Sequence, residues 1–464
     1  MNFVRRFVFY GLLALIAIAP LPFGSNRPWA WSILSLWVGI LVLLDAIAAF
    51  ADPVRGESRF MKRIAIPAVL FISVVIWIVI QASPDILPAA AHPMWGEAAA
   101  QLGRDMAAYV SIDPERTRDA LMVLLAYAGV FWLAARHGRD RANAAIMLKF
   151  FVIVSTVYAI YGLAVFFGGW EKILWYDKSA YIGDLTSTFI NHNHYATYAG
   201  IGLVSSLLLL LDQHKRYSQR NKGGRARAIQ NFAQIIDKNL APFLGVLLNS
   251  SALILTHSRG GVAATGMAIF IIFGLFLIKV GRTQRVLLGA SFAMLTVVAF
   301  NFLLSGEKLL QRIIGYQDAW DLRKSLYGRV VEAISGAWLE GYGAGTFKTV
   351  FHAFKDSPEL SRYTWQSSHN LFLDLFVSIG FVFGLMSLLV VAFVFFDLVK
   401  GALIRSKSSV YSILGVAILL LLSLHSLIDF SLKMYSVSVS SLYLIGLVWA
   451  VSVSNMGHRR DNKC

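Results

Sequence analysis

The chain has 464 residues, of which 57% are hydrophobic and 15% are charged, and its formal net charge at pH 7 is +16. This composition excludes an ordinary soluble domain, in which about a quarter of the residues are charged. The one cysteine, Cys464, excludes an intrachain disulfide and a metal site built from several cysteines.

Apolar segments of about 17–25 residues recur along the chain, and a helix of that length crosses about 30 Å of hydrocarbon. About twelve such segments are centred near residues 7–20, 29–50, 64–82, 118–135, 147–167, 195–211, 240–256, 262–278, 286–304, 371–396, 409–427 and 435–455. Short connections join most of them, so we expect one membrane domain over residues 1–464. The sequence predicts an all-α, polytopic membrane protein with about twelve transmembrane helices.

The basic residues are divided unevenly between the two sides of this arrangement. With the N-terminus in the cytoplasm, 26 of the 42 Lys and Arg residues but only 8 of the 26 Asp and Glu residues are cytoplasmic. Because cytoplasmic connections are enriched in Lys and Arg, both termini are predicted to be cytoplasmic. Topology thus explains the basic balance, and no nucleic-acid-binding motif accompanies it, so we predict no nucleic-acid partner.

Three connections are unusually long, and one of them, residues 83–117 on the outer side, offers no recognisable chemistry. Residues 212–239 are basic and polar, and we interpret them as a cytoplasmic loop. Residues 305–370 lie on the outer side, and we predict that they are partly helical and carry part of the functional site, since long loops are usually functional or disordered. An amphipathic helix is indicated there by apolar residues four apart, at Leu322, Leu326, Val330, Ile334 and Trp338. The glycine-rich residues 341–345 then end this helix.

Arg259 lies in a short outer connection between two apolar segments, within the stretch "THSRGG". It precedes a helix that runs inward, and the unpaired N–H groups and dipole at a helix N-terminus favour anions. Gly260 and Gly261 permit close approach to the backbone. The alternative is an arginine whose charged end merely reaches the membrane surface.

Two further polar stretches stand where a predicted helix starts inward from the outer side. The first contains Asn191, His192, Asn193 and His194, and the second contains His369 and Asn370. If the three helix starts are adjacent in space, they form an anion site at the outer leaflet. The helix dipole disfavours an imidazolium there, so the pKa of His369 is predicted to be lowered.

Histidines at a membrane interface more often cap or pack than catalyse. His192 and His194 are two residues apart and lack a companion carboxylate, which makes a metal site a weak alternative, and we predict no metal. His425 and Asp429, on the outer side and four apart, are interpreted as a capping and orienting pair.

Four stretches in this order resemble the O-antigen ligase/polymerase superfamily: "TFINHNHYA", "THSRGG", "GRVVEAISGAWLEGYGAGTF" and "SSHNLFLDLFVSIGFVFGL". The likeness covers roughly residues 185–395 by motif and the whole chain by the layout of its apolar segments. Each stretch is short, but four in order with a matching topology are fairly specific.

The resemblance implies a metal-independent glycosyltransferase without a cofactor, in the inner membrane of a bacterium. It would transfer glycan from undecaprenyl diphosphate, at the periplasmic face, in the synthesis of O-antigen or exopolysaccharide. The acceptor would be another glycan chain (a polymerase) or lipid A–core (a ligase), and both remain open. Arg259 and Arg329 would bind the diphosphate, and His369 would be the base or would orient the acceptor. The implied donor- and acceptor-binding residues are Asn191, His192, His194, Ser258 and Asn370.

One position departs from the family pattern. Family members often have Asn-Arg-Asn-His where this chain has Asn-His-Asn-His at residues 191–194, and between 169 and 194 the only basic residues besides histidines are Lys172 and Lys178. The residue that contacts the donor there is therefore open.

Two other functions are alternatives. A twelve-helix secondary transporter or flippase of polysaccharide export would have a similar layout, but such carriers concentrate polar residues near the bilayer midplane. The other alternative is a non-catalytic assembly partner of polysaccharide export.

Overall fold

Backbone polar groups in hydrocarbon must be satisfied internally, so the apolar stretches of this chain form helices. The computed structural model describes residues 2–51, 57–220, 240–277, 308–356, 358–405 and 409–454, and these are mainly helical. The protein is an all-α polytopic membrane protein, as the sequence predicts.

The helices in chain order are α1 (Asn2–Ile18), α2 (Pro28–Ala51), α3 (Glu57–Gln81), α4 (Met94–Leu102), α5 (Pro114–Gly138), α6 (Arg141–Phe167), α7 (His192–Arg220), α8 (Leu240–Leu255), α9 (Arg259–Leu277), α10 (Lys308–Gly336), α11 (Phe347–Phe351), α12 (Pro358–Ser361), α13 (Leu371–Ile404), α14 (Ser409–Ser426) and α15 (Tyr435–Ser454). Eleven predicted transmembrane segments coincide with helices, and the remaining one, residues 286–304, lies outside the described residues. Within the described ranges, nine helices are long and apolar enough to cross a membrane.

Helices α7, α14 and α15 form the centre of the bundle. About four fifths or more of the residues in their apolar windows are buried (78%, 78% and 89%), against 22% for α13. Helix α15 packs along α5 and α14, and α7 packs against α8, α9 and α14. A Cβ atom added at Gly202 of α7 would lie 2.6 Å from Oδ1 of Asn249 and 2.8 Å from Ser155. Small residues thus allow these helices the close approach that is typical of membrane interiors.

The connections that the charge distribution assigns to the outer side meet at one end of the bundle. The Thr188 hydroxyl donates a hydrogen bond to the carbonyl of Pro20 at 2.7 Å, and the amide of Leu185 donates to that of Leu255 at 3.0 Å. We call this end, formed by the connections α1–α2, α3–α5, α6–α7, α8–α9, α10–α13 and α14–α15, the site face. Its periplasmic location remains a prediction from the charges.

Helix α13 is broken near its start, which sequence analysis did not predict. Gly380 has a φ of +73°, and the interrupted ladder leaves backbone carbonyls without helical partners. Three of them accept hydrogen bonds of 2.9–3.1 Å from the amides of Tyr342 and Gly343 and the indole of Trp77. Residues 381–404 remain long enough to cross the membrane. The short piece before the break therefore belongs to the site face.

The outer segment contains the predicted amphipathic helix as part of α10. Leu326 and Val330 are fully buried, in a cluster with Phe351 and Val377. Trp338 lies beyond the end of the helix and is 54% exposed, so the last position of the predicted stripe is wrong. Residues 305–307 of this segment lie outside the described residues.

Two connections differ from prediction or lie partly outside the structure. Helix α7 continues to Arg220, so the start of the predicted loop 212–239 is helical, and residues 221–239 lie outside the described residues. Between α6 and α7 a small antiparallel hairpin, which was not predicted, pairs β1 (Lys172–Ile173) with β2 (Tyr176–Asp177).

The glycine-rich loop after α10 should be sensitive to a single methyl group. Gly341 has a φ of +67°, and a Cβ atom there would lie 2.5 Å from the amide nitrogen of Gly380. We expect Gly341→Ala to lower the thermal unfolding midpoint of the purified protein, because both the backbone and the helix break must shift. Gly266→Ala is the control, since its Cβ atom meets open space within α9. Equal midpoints for both variants would contradict this packing.

The orientation of the site face can be measured by labelling single cysteines in a Cys464→Ser background. Ser361 is exposed on the site face, and Ala142 is exposed at the opposite end of the bundle. We expect a membrane-impermeant thiol reagent to label Ser361→Cys but not Ala142→Cys in cells with a permeabilised outer membrane, because positive charge is retained inside. The reverse pattern would invert the topology.

Candidate active site

The starts of α7, α9 and α13 lie close together on the site face. The sequence alone left this proximity open. The Nδ1 atom of His192 donates to the Thr256 carbonyl at 2.7 Å. A Cβ atom added at Gly261 would lie 2.6 Å from that of Ala196, so α7 and α9 touch at their first turns. The start of α13 joins them through the ring of Phe430, which follows α14.

Asp184 connects the first two helix starts, and sequence analysis missed it. Its carboxylate lies 2.8 Å from Nδ1 of His192 and 2.7 Å from Nδ1 of His257. Burial opposes ionisation, but hydrogen bonds from the two histidines hold the pKa of Asp184 below its ordinary value. Tyr181 stacks on His192 with ring centroids 4.4 Å apart. Asp184 therefore fixes the orientation of both imidazoles.

The start of α9 leaves Arg259 available for an anion. The buried hydroxyl of Ser258 accepts a hydrogen bond from the amide of Gly261 at 3.2 Å and so caps the helix. Arg259 is exposed, and within the described part of the chain it has neither an ion pair nor a hydrogen bond. A Cβ atom at Gly260 would lie 3.1 Å from Nε2 of His425, so this glycine lets the imidazole approach the helix end.

His369 occupies a constrained position immediately before α13. Its φ is +56°, and its ring stands edge-on to Trp365 and Phe430, at centroid distances of 5.8 and 4.9 Å. The side chain of Asn370 caps α13 by accepting from the amides of residues 372 and 373. The pKa of His369 is lowered, as predicted, and burial is the largest cause. Arg323 assists this shift.

His194 and Asp429 bring unpaired polar atoms into the same place. The rings of His194 and His369 contact Phe430, each at 4.9 Å. Within the described residues, both ring nitrogens of His194 and Oδ1 of Asp429 are buried without a hydrogen-bond partner. The Nε2 atom of His194 lies 3.9 Å from Oδ2 of Asp429. Buried polar atoms are normally paired, so these atoms can hydrogen-bond a polar group that enters this place.

His425 and Asp429 have a larger role than the capping pair that the sequence indicates. Asp429 N donates to the His425 carbonyl at 2.9 Å, which is one helical turn as predicted. The Nδ1 atom of His425 also hydrogen-bonds the Thr197 hydroxyl at 2.6 Å, and both acidic and imidazole groups are buried. The pair therefore ties the end of α14 to α7.

Two predicted site residues have other partners. Arg329 is partly exposed on α10 and pairs with Glu332 at 2.7 Å and with Asp356. The Asn191 side chain accepts from the amide of Asn193 at 2.8 Å at the start of α7.

Neither lysine of the α6–α7 connection replaces the arginine of the family pattern. The Lys178 side chain is 5% exposed and pairs with Glu171 at 3.2 Å. Lys172 lies on the hairpin and faces Asp177 at 3.6 Å. Arg323 and Lys433, which are both close enough to His369 to lower its pKa, are the additional cations near the histidines.

Among the described residues, no group of three His, Cys, Asp or Glu side chains is placed to hold a metal ion. The Asp184 carboxylate lies between His192 and His257 and contacts the Nδ1 atoms of both rings directly.

Comparison with known families finds one match within this region. Residues 243–389 match the family model described as O-Antigen ligase. These residues run from α8 into α13, so they include Arg259, Arg329 and His369 but not His194 or Asp429. No curated protein matches the chain.

Proposed function

We propose that this member of the O-antigen ligase/polymerase superfamily transfers glycan from undecaprenyl diphosphate to a sugar hydroxyl at the periplasmic face of the bacterial inner membrane. The match over residues 243–389 supports a glycosyltransferase-type enzyme. The observation that carries the proposal is Arg259, exposed at the N-terminus of α9 and without an ion pair among the described residues, close to the buried histidines of the site face.

Arg259 would bind the diphosphate leaving group. When the bond between sugar C1 and the phosphate oxygen breaks, negative charge develops on that oxygen. A planar guanidinium binds two diphosphate oxygens at once, and the N-terminal dipole of α9 adds to the stabilisation. Because Arg259 has no competing partner in the described part of the chain, this charge is available without breaking an ion pair.

Arg329 would be a second ligand of the diphosphate. Its partners Glu332 and Asp356 are about half exposed, and exposed ion pairs contribute only about 0–1 kcal/mol. Exchange of these carboxylates for phosphate oxygens is therefore inexpensive. The lipid tail of such a donor would lie among inner membrane lipids, which accounts for a site at the helix ends.

His369 would accept the proton of the acceptor hydroxyl as its oxygen bonds to C1. Burial lowers the pKa of His369, which keeps the ring neutral and able to accept a proton. The unpaired atoms of His194 and Asp429 would bind the acceptor sugar, and Asn191, His192, Ser258 and Asn370 would hold the helix starts in place. We assign no role to a metal or a cofactor. General-base assistance by His369 would raise the transfer rate by about 10²–10⁴-fold.

A transporter or flippase is the second candidate function. Secondary carriers place their polar binding residues near the bilayer midplane, on interrupted helices. Here the candidate groups Arg259, His194 and Asp429 lie at the ends of helices on the site face, and the break in α13 is closed by the loop at residues 341–345. This arrangement supports the enzyme.

Deletion of the gene, followed by gel analysis of surface glycan, tests the function. Single repeats on lipid A–core indicate a polymerase, whereas long chains that accumulate on undecaprenyl diphosphate indicate a ligase. We expect Arg259→Ala to fail in complementation and Arg259→Lys to restore little, because lysine lacks the paired donors. The exposed Arg362 serves as the control, and Arg362→Ala should complement fully. An unchanged glycan in the deletion strain would refute the proposal, and complete inhibition by EDTA would revive the metal alternative.

The role of His369 can be separated into proton transfer and orientation. We expect His369→Ala to lose roughly 10²-fold or more in transfer rate, while His352→Ala, an exposed histidine of the same outer segment, should not. Near-normal turnover in His369→Gln would make the residue an orienting group. Since the neutral ring is the active form, the rate should fall as pH decreases through the pKa, below the ordinary 6.5.

A further inference from the structure

A buried carboxylate close to His369 has no part in the proposed mechanism. Asp374, in the first turn of α13, is 2% exposed. It accepts hydrogen bonds from the Ser367 hydroxyl and from the amide of Ser368, the latter at 2.9 Å. The Nζ atom of Lys433 lies 2.5 Å from Oδ2 of the same carboxylate. With three donors on its two oxygens, Asp374 is not the base of this site.

These contacts hold the turn that presents His369. A φ of +56° is unfavourable for a residue with a side chain and persists only where the surroundings enforce it. The hydroxyl of Ser368 donates to the carbonyl of Asn370 at 2.7 Å and accepts from its amide at 3.2 Å. Asp374 thus closes a network of hydrogen bonds around the residue before α13.

The turn before α13, which carries His369, forms one wall of the site. The α14–α15 connection forms the opposite wall, and Lys433 belongs to it. It follows α14 in the short turn Ser431–Lys433, and its amide donates to the carbonyl of Phe430 at 2.8 Å. The hydroxyl of Ser431 donates to Asp429. Lys433 is therefore rigidly connected to the carboxylate and the ring that face His194 and His369. Its ammonium also lies 5.4 Å above the ring of Phe347.

We propose that Lys433 is a positioning residue, whose ion pair with Asp374 holds the wall that carries His369 against the wall that carries Asp429 and Phe430. The inference rests on the proposed function, because the two walls flank the place of the acceptor hydroxyl. Correct alignment is worth much in catalysis, since a displacement of about 1 Å costs about 10²-fold. The pair joins α13 to the α14–α15 connection, which are far apart in the chain.

The charges around His369 give this role a specific signature. Asp429 and Asp374 favour its protonated form, whereas Arg323 and Lys433 disfavour it. His194 is a further titratable group close to His369. Removal of Lys433 should raise the pKa of His369 and move the acid limb of the pH–rate profile to higher pH. Removal of the Asp374 charge should move it to lower pH. An ion pair whose charges do not act at His369 predicts no such opposite shifts.

The test compares Lys433→Met, Lys433→Arg and Asp374→Asn in the purified full chain with a lipid-linked glycan donor. We expect Lys433→Met to lower kcat by about 10- to 100-fold while KM changes by less than about threefold, since alignment is lost but donor binding is kept. Lys433→Arg should retain most of the rate, because it preserves the ion pair. Lys172→Met, which removes an exposed lysine of the hairpin on the same face, is the control and should behave as wild type.

Loss of Lys433 leaves a buried unpaired carboxylate, which can prevent folding. The double variant Lys433→Met/Asp374→Asn removes both charges, and we expect it to fold with a thermal midpoint near wild type but with the lowered kcat. A wild-type kcat and acid limb in folded Lys433→Met, or no rescue by Lys433→Arg, would overturn the inference. An inactive wild-type protein would instead refute the proposed function, so the two failures are distinguishable.

Discussion

Hydrocarbon does not satisfy backbone hydrogen bonds, and this constraint decides where the molecule can place its chemistry. Regular helices occupy the membrane, and irregular backbone gathers at their ends. The break in α13 is the instructive exception, because the freed carbonyls are bonded by the loop at residues 341–345 and by Trp77. That loop links the outer segment to α13, the helix that follows His369. The largest connection thereby becomes part of the site architecture.

Three buried or half-buried carboxylates organise the site face. Asp184 orients His192 and His257, Asp429 faces His194, and Asp374 holds the turn before α13. In a medium of low dielectric such contacts are strong, and unpaired polar groups are costly. Asp184 and Asp429 come from two different connections, and Asp374 of α13 pairs with Lys433 of the α14–α15 connection. None of the three helix starts is therefore held by its own segment alone.

The positive charges of the site face differ in whether they are already paired with a carboxylate. Lys178 and Lys433 are committed to carboxylates and serve the framework, whereas Arg259 is exposed and unpaired within the described residues. Arg329 lies between these cases, because its partners are exposed and readily exchanged. In the proposed reaction, the uncommitted guanidinium of Arg259 at the start of α9 would be available to bind the diphosphate leaving group.

Hydropathy by itself determined the all-α membrane class and the position of eleven of the twelve segments, because crossing hydrocarbon requires a long apolar helix. Local motifs predicted that Arg259 and His369 stand at helix starts, and the structure places them there. Only the tertiary structure decided that these starts are adjacent, that Asp184 bridges two of them, and that Asp374 pairs with Lys433. It also placed Arg329 in a surface ion pair. No periodicity encodes such contacts, because they join side chains of separate connections that only the packing of the helices brings within hydrogen-bonding distance.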